Sequence, residues 1–113
     1  MQPSAFPGWR GLFEKYRAAH PDLAAEVDAL LSGALPEGWD KDLPVFPADA
    51  KGLAGRDASQ KALNAIAAKV PWLLGGSADL APSTKTRLTF DGAGDQSAKD
   101  PGGRNFHFGI REH

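Results

Sequence analysis

The sequence contains no cysteine and only one methionine and one tyrosine among its 113 residues. Without thiols there is no disulfide framework and no thiolate metal site, and a reducing compartment, the cytoplasm, is the expected location. No charge of one sign dominates: 13 Lys and Arg stand against 14 Asp and Glu, a formal net charge of −1. So balanced a chain has no overall basic field for a nucleic-acid backbone or an anionic membrane surface, and neither is expected as a partner. Long hydrophobic runs are also missing. Nothing approaches the roughly 18 apolar residues of a spanning helix, and Met1-Gln2-Pro3-Ser4-Ala5 has neither the charged nor the apolar region of a secretory signal.

What is abundant is glycine and proline. Thirteen Gly and nine Pro make up about a fifth of the chain, against an ordinary share of roughly 12%. They concentrate in connectors and leave fewer residues for regular elements. One domain of modest size, or a piece of a larger one, is all this length allows.

Trp9, Leu12, Phe13 and Tyr16 recur at i, i+3, i+4 and i+7 with charged residues between them, which predicts an amphipathic helix over 9–20. Pro21 suits the first turn of a second helix, and Leu23, Val27, Leu30 and Leu31 carry it to Gly33. Residues 33–55, punctuated by Pro36, Gly38, Pro44, Pro47, Gly52 and Gly55, read as an extended connector with a boundary near residue 50. Ala58, Ala62, Leu63, Ile66 and Val70 restore the helical period until Pro71 ends it, predicting a helix over 57–69. Trp72-Leu73-Leu74 then reads as a short strand buried on both faces of a parallel sheet. A long polar loop is expected over 81–104. Phe106, Phe108 and Ile110 alternate and predict a second strand over 105–110. Helix followed by strand is an α/β signature, but two strands leave a sheet incomplete. A further covering helix is expected after the charged turn at 111–113.

The residues with chemistry cluster around the first strand. Gly75-Gly76-Ser77-Ala78-Asp79-Leu80 sets two glycines, a hydroxyl and a carboxylate just beyond it, where open α/β sheets bind ligands. The same residues could equally make a tight turn with Asp79 as a helix cap. Neither G-x-G-x-x-G nor a P-loop occurs. Arg56, Ser83, Lys85 and Arg87 could converge on one anion or stand separately as solvated surface groups. Glu112 lies where strand gives way to helix, either answering a helix N-terminus or holding a ligand nitrogen. His107 reads as a structural strand histidine and His20 as a surface one. No spacing such as H-E-x-x-H occurs, and no protein-only metal site is expected.

Gly75-Gly76-Ser77-Ala78-Asp79-Leu80-Ala81-Pro82-Ser83, followed by Phe106-His107-Phe108-Gly109-Ile110-Arg111-Glu112-His113, closely resembles the transketolase family. Arg56-Asp57-Ala58-Ser59 is similar to the Arg-x-x-Ser opening of the helix that precedes the motif in that family. The resemblance implies an α/β fold: residues 50–113 as the truncated N-terminal part of a pyrimidine-binding (Pyr) domain with an incomplete parallel sheet. Residues 1–49 resemble the helical end of the preceding diphosphate-binding (PP) domain and its connector.

By the same resemblance, the parent is expected to use thiamine diphosphate and a divalent metal, Mg or Ca, with the metal's ligands outside this stretch. It would move a two-carbon ketol unit between sugar phosphates, in the pentose phosphate pathway, as a homodimer. Glu112 then matches the glutamate that hydrogen-bonds the aminopyrimidine ring nitrogen, and Asp79 an aspartate beside the cofactor. Arg56 and Ser83 match residues that hold the sugar phosphate. Thr84 departs from the Asn common after the motif serine. Lacking the PP-domain diphosphate motif, the aromatic residues that stack the pyrimidine and the third domain, the fragment is not expected to catalyse by itself. The competing expectation, from another class, is a small non-catalytic α/β module that binds a phosphorylated ligand.

Overall fold

A computed structural model describes residues 8–110. The chain divides into two compact units, Met1–Pro36 and Glu37–His113.

The first unit is a pair of helices, α1 (Trp9–Ala19) and α2 (Pro21–Ser32), hinged at His20. Pro21 occupies the first turn of α2, where its missing N–H costs nothing, and Gly33 closes the helix with φ 73°. Both helices match the sequence periodicity to within a residue or two. Trp9, Phe13, Tyr16 and His20 form a stacked column along α1. Arg17 lies over the Phe13 ring at 4.9 Å and ion-pairs with Asp28, tying α1 to α2. That guanidinium holds the Asp28 carboxyl below its ordinary range.

The second unit is α/β, as the pattern predicts. Helix α3 (Gly55–Lys69) leads to strand β1 (Gly75–Ser77), the single-turn helix α4 (Ala81–Thr84) and strand β2 (Asn105–His107). The strands pair in parallel with Gly75 opposite Asn105, Gly76 opposite Phe106 and Ser77 opposite His107. Ala67 of α3, Leu88 and Ala93 form the buried centre, with Leu63, Leu73 and Phe90 packed against it.

The structure differs from the sequence pattern at three points. The strand falls on Gly75–Ser77 and not on the apolar run 72–74. The reason is Arg104: its guanidinium donates to the carbonyls of Ala67, Val70 and Leu73, so the end of α3 and the apolar run are capped rather than laddered. Pairing begins only where the Gly75 N–H donates to the Arg104 carbonyl, at 2.9 Å. Burial of that guanidinium, which stacks on Phe90 at 5.0 Å, lowers its pKa. The second strand stops at His107. Phe108 still donates to the Ser77 carbonyl, but Gly109 turns away with φ 62°.

Most informative is the stretch 81–104, expected as a polar loop. It contains α4, the fully buried Leu88 and an isolated bridge between Asp95 and Asn105. Two asparagines replace the missing backbone ladder. Asn105, 4% exposed, accepts from the Leu88 N–H and donates to the carbonyls of Leu88 and Gly94. Asn64 of α3 accepts from the Thr89 N–H and donates to the Arg87 carbonyl.

Candidate functional site

Parallel pairing carries Ser77 and His107 to the C-terminal ends of adjacent strands, and a cleft of about 500 Å³ opens there. Its walls include Gln60 from α3, Asp79 beyond β1, Lys85 and Arg87 beyond α4, Thr89, and His107 at the end of β2. Carboxyl ends of parallel strands bind ligands because side chains and backbone groups from several loops converge there. The glycines of the motif serve the approach to it. Gly75 and Gly76 form the strand itself, and a Cβ on Gly76 would collide with the Phe108 ring.

Lys85 is the single non-glycine residue with positive φ, 60°, among the described residues. It closes α4 in a left-handed conformation that an L-residue adopts only at some cost. Its Nζ lies 4.0 Å from Asp57 Oδ1 in the first turn of α3.

Opposite it stands a three-residue cluster. Arg87 Nη2 donates to Asp95 Oδ2 at 2.9 Å, and His107 Nε2 lies 3.3 Å from Asp95 Oδ1. The Arg87 guanidinium, and after it the His107 imidazole, hold the Asp95 carboxyl below its ordinary range. Asp95 Oδ1 is sheltered from water and has no hydrogen-bond partner among the described residues, although His107 Nε2 lies 3.3 Å away.

The sequence-predicted residues distribute unevenly. Asp79 lines the cleft and is exposed to it. Arg56 and Ser83 are exposed on the first turn of α3 and on α4. Neither lines the cleft, but the Lys85–Asp57 contact links the two segments that carry them. Lys85 and Arg87 do reach the cleft. Glu112 lies outside the described residues. His107 belongs to the cleft rather than only to the strand, and Asp95, Thr89 and Gln60 carried no signal. A carboxylate in a Gly/Asp-rich loop acquires meaning only when the 95–105 bridge brings it beside β2.

Residues 51–113 match the model of the transketolase pyrimidine-binding domain. That is more than half of the chain. The chain belongs to this family. Along 92% of its length it is 44% identical to a transketolase of Bacillus subtilis, and along 93% it is 44% identical to a chloroplastic transketolase of Arabidopsis thaliana. Among solved structures, a Leishmania mexicana transketolase superposes with a TM-score of 0.82 at 40% identity over 94% of this chain. A Pichia stipitis transketolase in complex with xylulose 5-phosphate gives 0.79 at 43% identity over 93%. The transketolase likeness begins well before residue 51, since those matches cover nearly the whole sequence. The chain spans only about 15% of the length of the Bacillus subtilis protein and 16% of the Pichia stipitis chain.

Proposed function

We propose that this chain forms part of a thiamine-diphosphate-dependent transketolase. Its parent would transfer a two-carbon ketol unit from a ketose phosphate to an aldose phosphate. Residues 50–113 open the Pyr domain, and residues 1–49 supply the helical end of the PP domain with its connector. The observation that carries this reading is the position of Asp79: the family-matched motif delivers a carboxylate into a cleft at the carboxyl ends of two parallel strands.

The residues present suit the cofactor. The cleft's volume of about 500 Å³ falls in the ordinary range for a cofactor site, roughly 300–1,000 Å³. Asp79 offers an anion for a cationic ring, and Lys85 and Arg87 offer donors for polar groups. Once bound, thiamine diphosphate supplies an electron sink beside the substrate carbonyl. Glu112 holds the pyrimidine nitrogen and keeps it ready to exchange a proton, a task that calls for a carboxyl shielded from water. Arg56 and Ser83 hold the sugar phosphate by charge-assisted hydrogen bonds remote from the bond that breaks.

The divalent metal, held by residues elsewhere in the parent, belongs to the same reading, as do the homodimer, the pentose phosphate pathway and the cytoplasm. No helix among the described residues is long and apolar enough to cross a membrane.

The test is a chimera. The matched segment of the Bacillus subtilis transketolase is replaced by this chain, and ketol transfer from xylulose 5-phosphate is followed. Activity within an order of magnitude of the host is expected, and Glu112→Gln in the chimera should lower kcat by about 10²–10⁴, the range of a lost proton-transfer group. Loss of Arg56 should raise KM far more than it lowers kcat. A folded, cofactor-loaded chimera that is inactive, or one indifferent to Glu112→Gln, would overturn the proposal.

A further inference from the structure

The Arg87–Asp95–His107 cluster is not accounted for by any role given above to Asp79, Glu112, Arg56 or Ser83. His107 reaches Asp95 through Nε2, 3.3 Å from Oδ1, and lines the cleft. Among the described residues Nδ1 has no hydrogen-bond partner. Asp95 is fixed from the other side by Arg87 at 2.9 Å and from behind by the Asp95–Asn105 bridge. A sheltered carboxylate oxygen without a hydrogen-bond partner demands a donor; His107 Nε2 is within reach of it, and a neutral imidazole has a single N–H to give.

We infer that Asp95 is a positioning residue that fixes the His107 imidazole with its proton on Nε2. Nδ1 is thereby left as a hydrogen-bond acceptor for a hydroxyl group of a ligand in the cleft. The arrangement is the orienter-and-base pair of nucleophilic enzymes without the nucleophile: one ring nitrogen is committed to a carboxylate so that the other presents a lone pair. Of the titratable groups on the described walls, His107 alone has one acceptor set by a neighbouring carboxylate. Asp79 is an exposed acceptor, while Lys85 and Arg87 only donate. The ligand class is a polyhydroxylated compound. This choice rests on the proposed transketolase reading, in which the substrates are sugars.

The experiment uses the 113-residue chain with ¹⁵N-labelled histidine, in a buffer alkaline enough that the histidine signals no longer change with pH. Long-range ¹H–¹⁵N spectra report which nitrogen of His107 bears the proton. His107→Gln identifies its signals against those of His20 and His113. The unaltered chain is expected to show a single Nε2–H form. Asp95→Ala should return His107 to the tautomer mixture of a free imidazole. Asp95→Asn, whose side-chain carbonyl still accepts from Nε2–H, should retain the single form, a rescue that a merely structural role would not produce.

Xylulose 5-phosphate, added to millimolar concentration, should then shift the His107 Nδ1 resonance. An Nδ1–H form or a free-imidazole mixture in the unaltered chain overturns the inference even if Asp95→Ala does not fold. Shifts at other cleft residues with Nδ1 unmoved overturn it while leaving the transketolase reading intact. An Nε2–H form with no ligand response anywhere in the cleft refutes the hydroxyl-acceptor role, and the chimera then decides the transketolase reading separately.

Discussion

Asn105→Leu removes a side chain that acts as a surrogate backbone. Asn105 accepts one hydrogen bond from the Leu88 N–H at 2.8 Å and donates two, each at 2.9 Å, to the carbonyls of Leu88 and Gly94. Leucine has the same number of side-chain heavy atoms with the same branching, so the change removes the polar groups while adding only the bulk of its methyl hydrogens. The Leu88 N–H belongs to a residue 1% exposed, and leaving such a donor unpaired costs roughly 1–3 kcal/mol. Each abandoned carbonyl forfeits a net bond of about 0.5–1.5 kcal/mol, bringing the loss to about 2–5 kcal/mol after partial relaxation. With a urea slope of about 2 kcal/mol per molar, the middle of the usual range, the midpoint followed by circular dichroism should fall by roughly 1–2.5 M. Asn105→Asp supplies the internal control. It keeps the acceptor but sets a carboxylate against two carbonyl oxygens, so its folded pKa rises above the unfolded ~3.9. Its stability should then be greatest in acid and be lost as pH climbs through the folded value. A loss below about 0.5 kcal/mol for the leucine variant, or an aspartate variant no worse at neutral pH than in acid, would refute the claim that Asn105 holds the 86–89 segment in place.

Three further outcomes follow from the same geometry. Leu88→Ala empties the centre of the small core and should cost about 3 kcal/mol by the same denaturation, because Ala67 and Ala93 are too small to close the gap. Gly103→Ala should abolish cooperative unfolding of the second unit, since the added methyl meets the backbone of Asp95 and Gln96; Gly76→Ala meets only the Phe108 ring, itself 58% exposed, and should cost far less. The Asp95 carboxyl has a folded pKa below its unfolded value, so its stabilisation is present above the ordinary carboxylate range and is lost as pH falls through the folded value. Asp95→Asn should therefore flatten the acid limb of the stability profile measured between neutral pH and pH ~2, and an unchanged limb would remove Asp95 from the account.

Local periodicity was enough for the helices. The stripe from Trp9 to Tyr16, Pro21 at the start of α2, Gly33 at its end and the 57–69 period are properties of neighbouring residues, and the structure reproduces them within one or two positions. The motif around Gly75–Ser83 was legible for a different reason: a nine-residue string is specific as a string, whatever its conformation. Its register was not legible. Apolar residues 72–74 advertise a strand, yet Arg104, some thirty residues later, bonds the Leu73 carbonyl there and the pairing falls on the glycines.

The partition follows the range of the forces involved. Composition, helix positions, the α/β pattern and the family-matched string at Gly75–Ser83 are written in short-range order, so the amino-acid string settled them unaided. Tertiary structure alone decided that Leu88 is core, that Asn64 and Asn105 stand in for a strand, and that Asp95 meets Arg87 and His107 at the cleft. Those contacts join residues 8 to 25 positions apart through single polar groups, which leave no periodic trace along the chain and acquire their energy only once water has been excluded from between them.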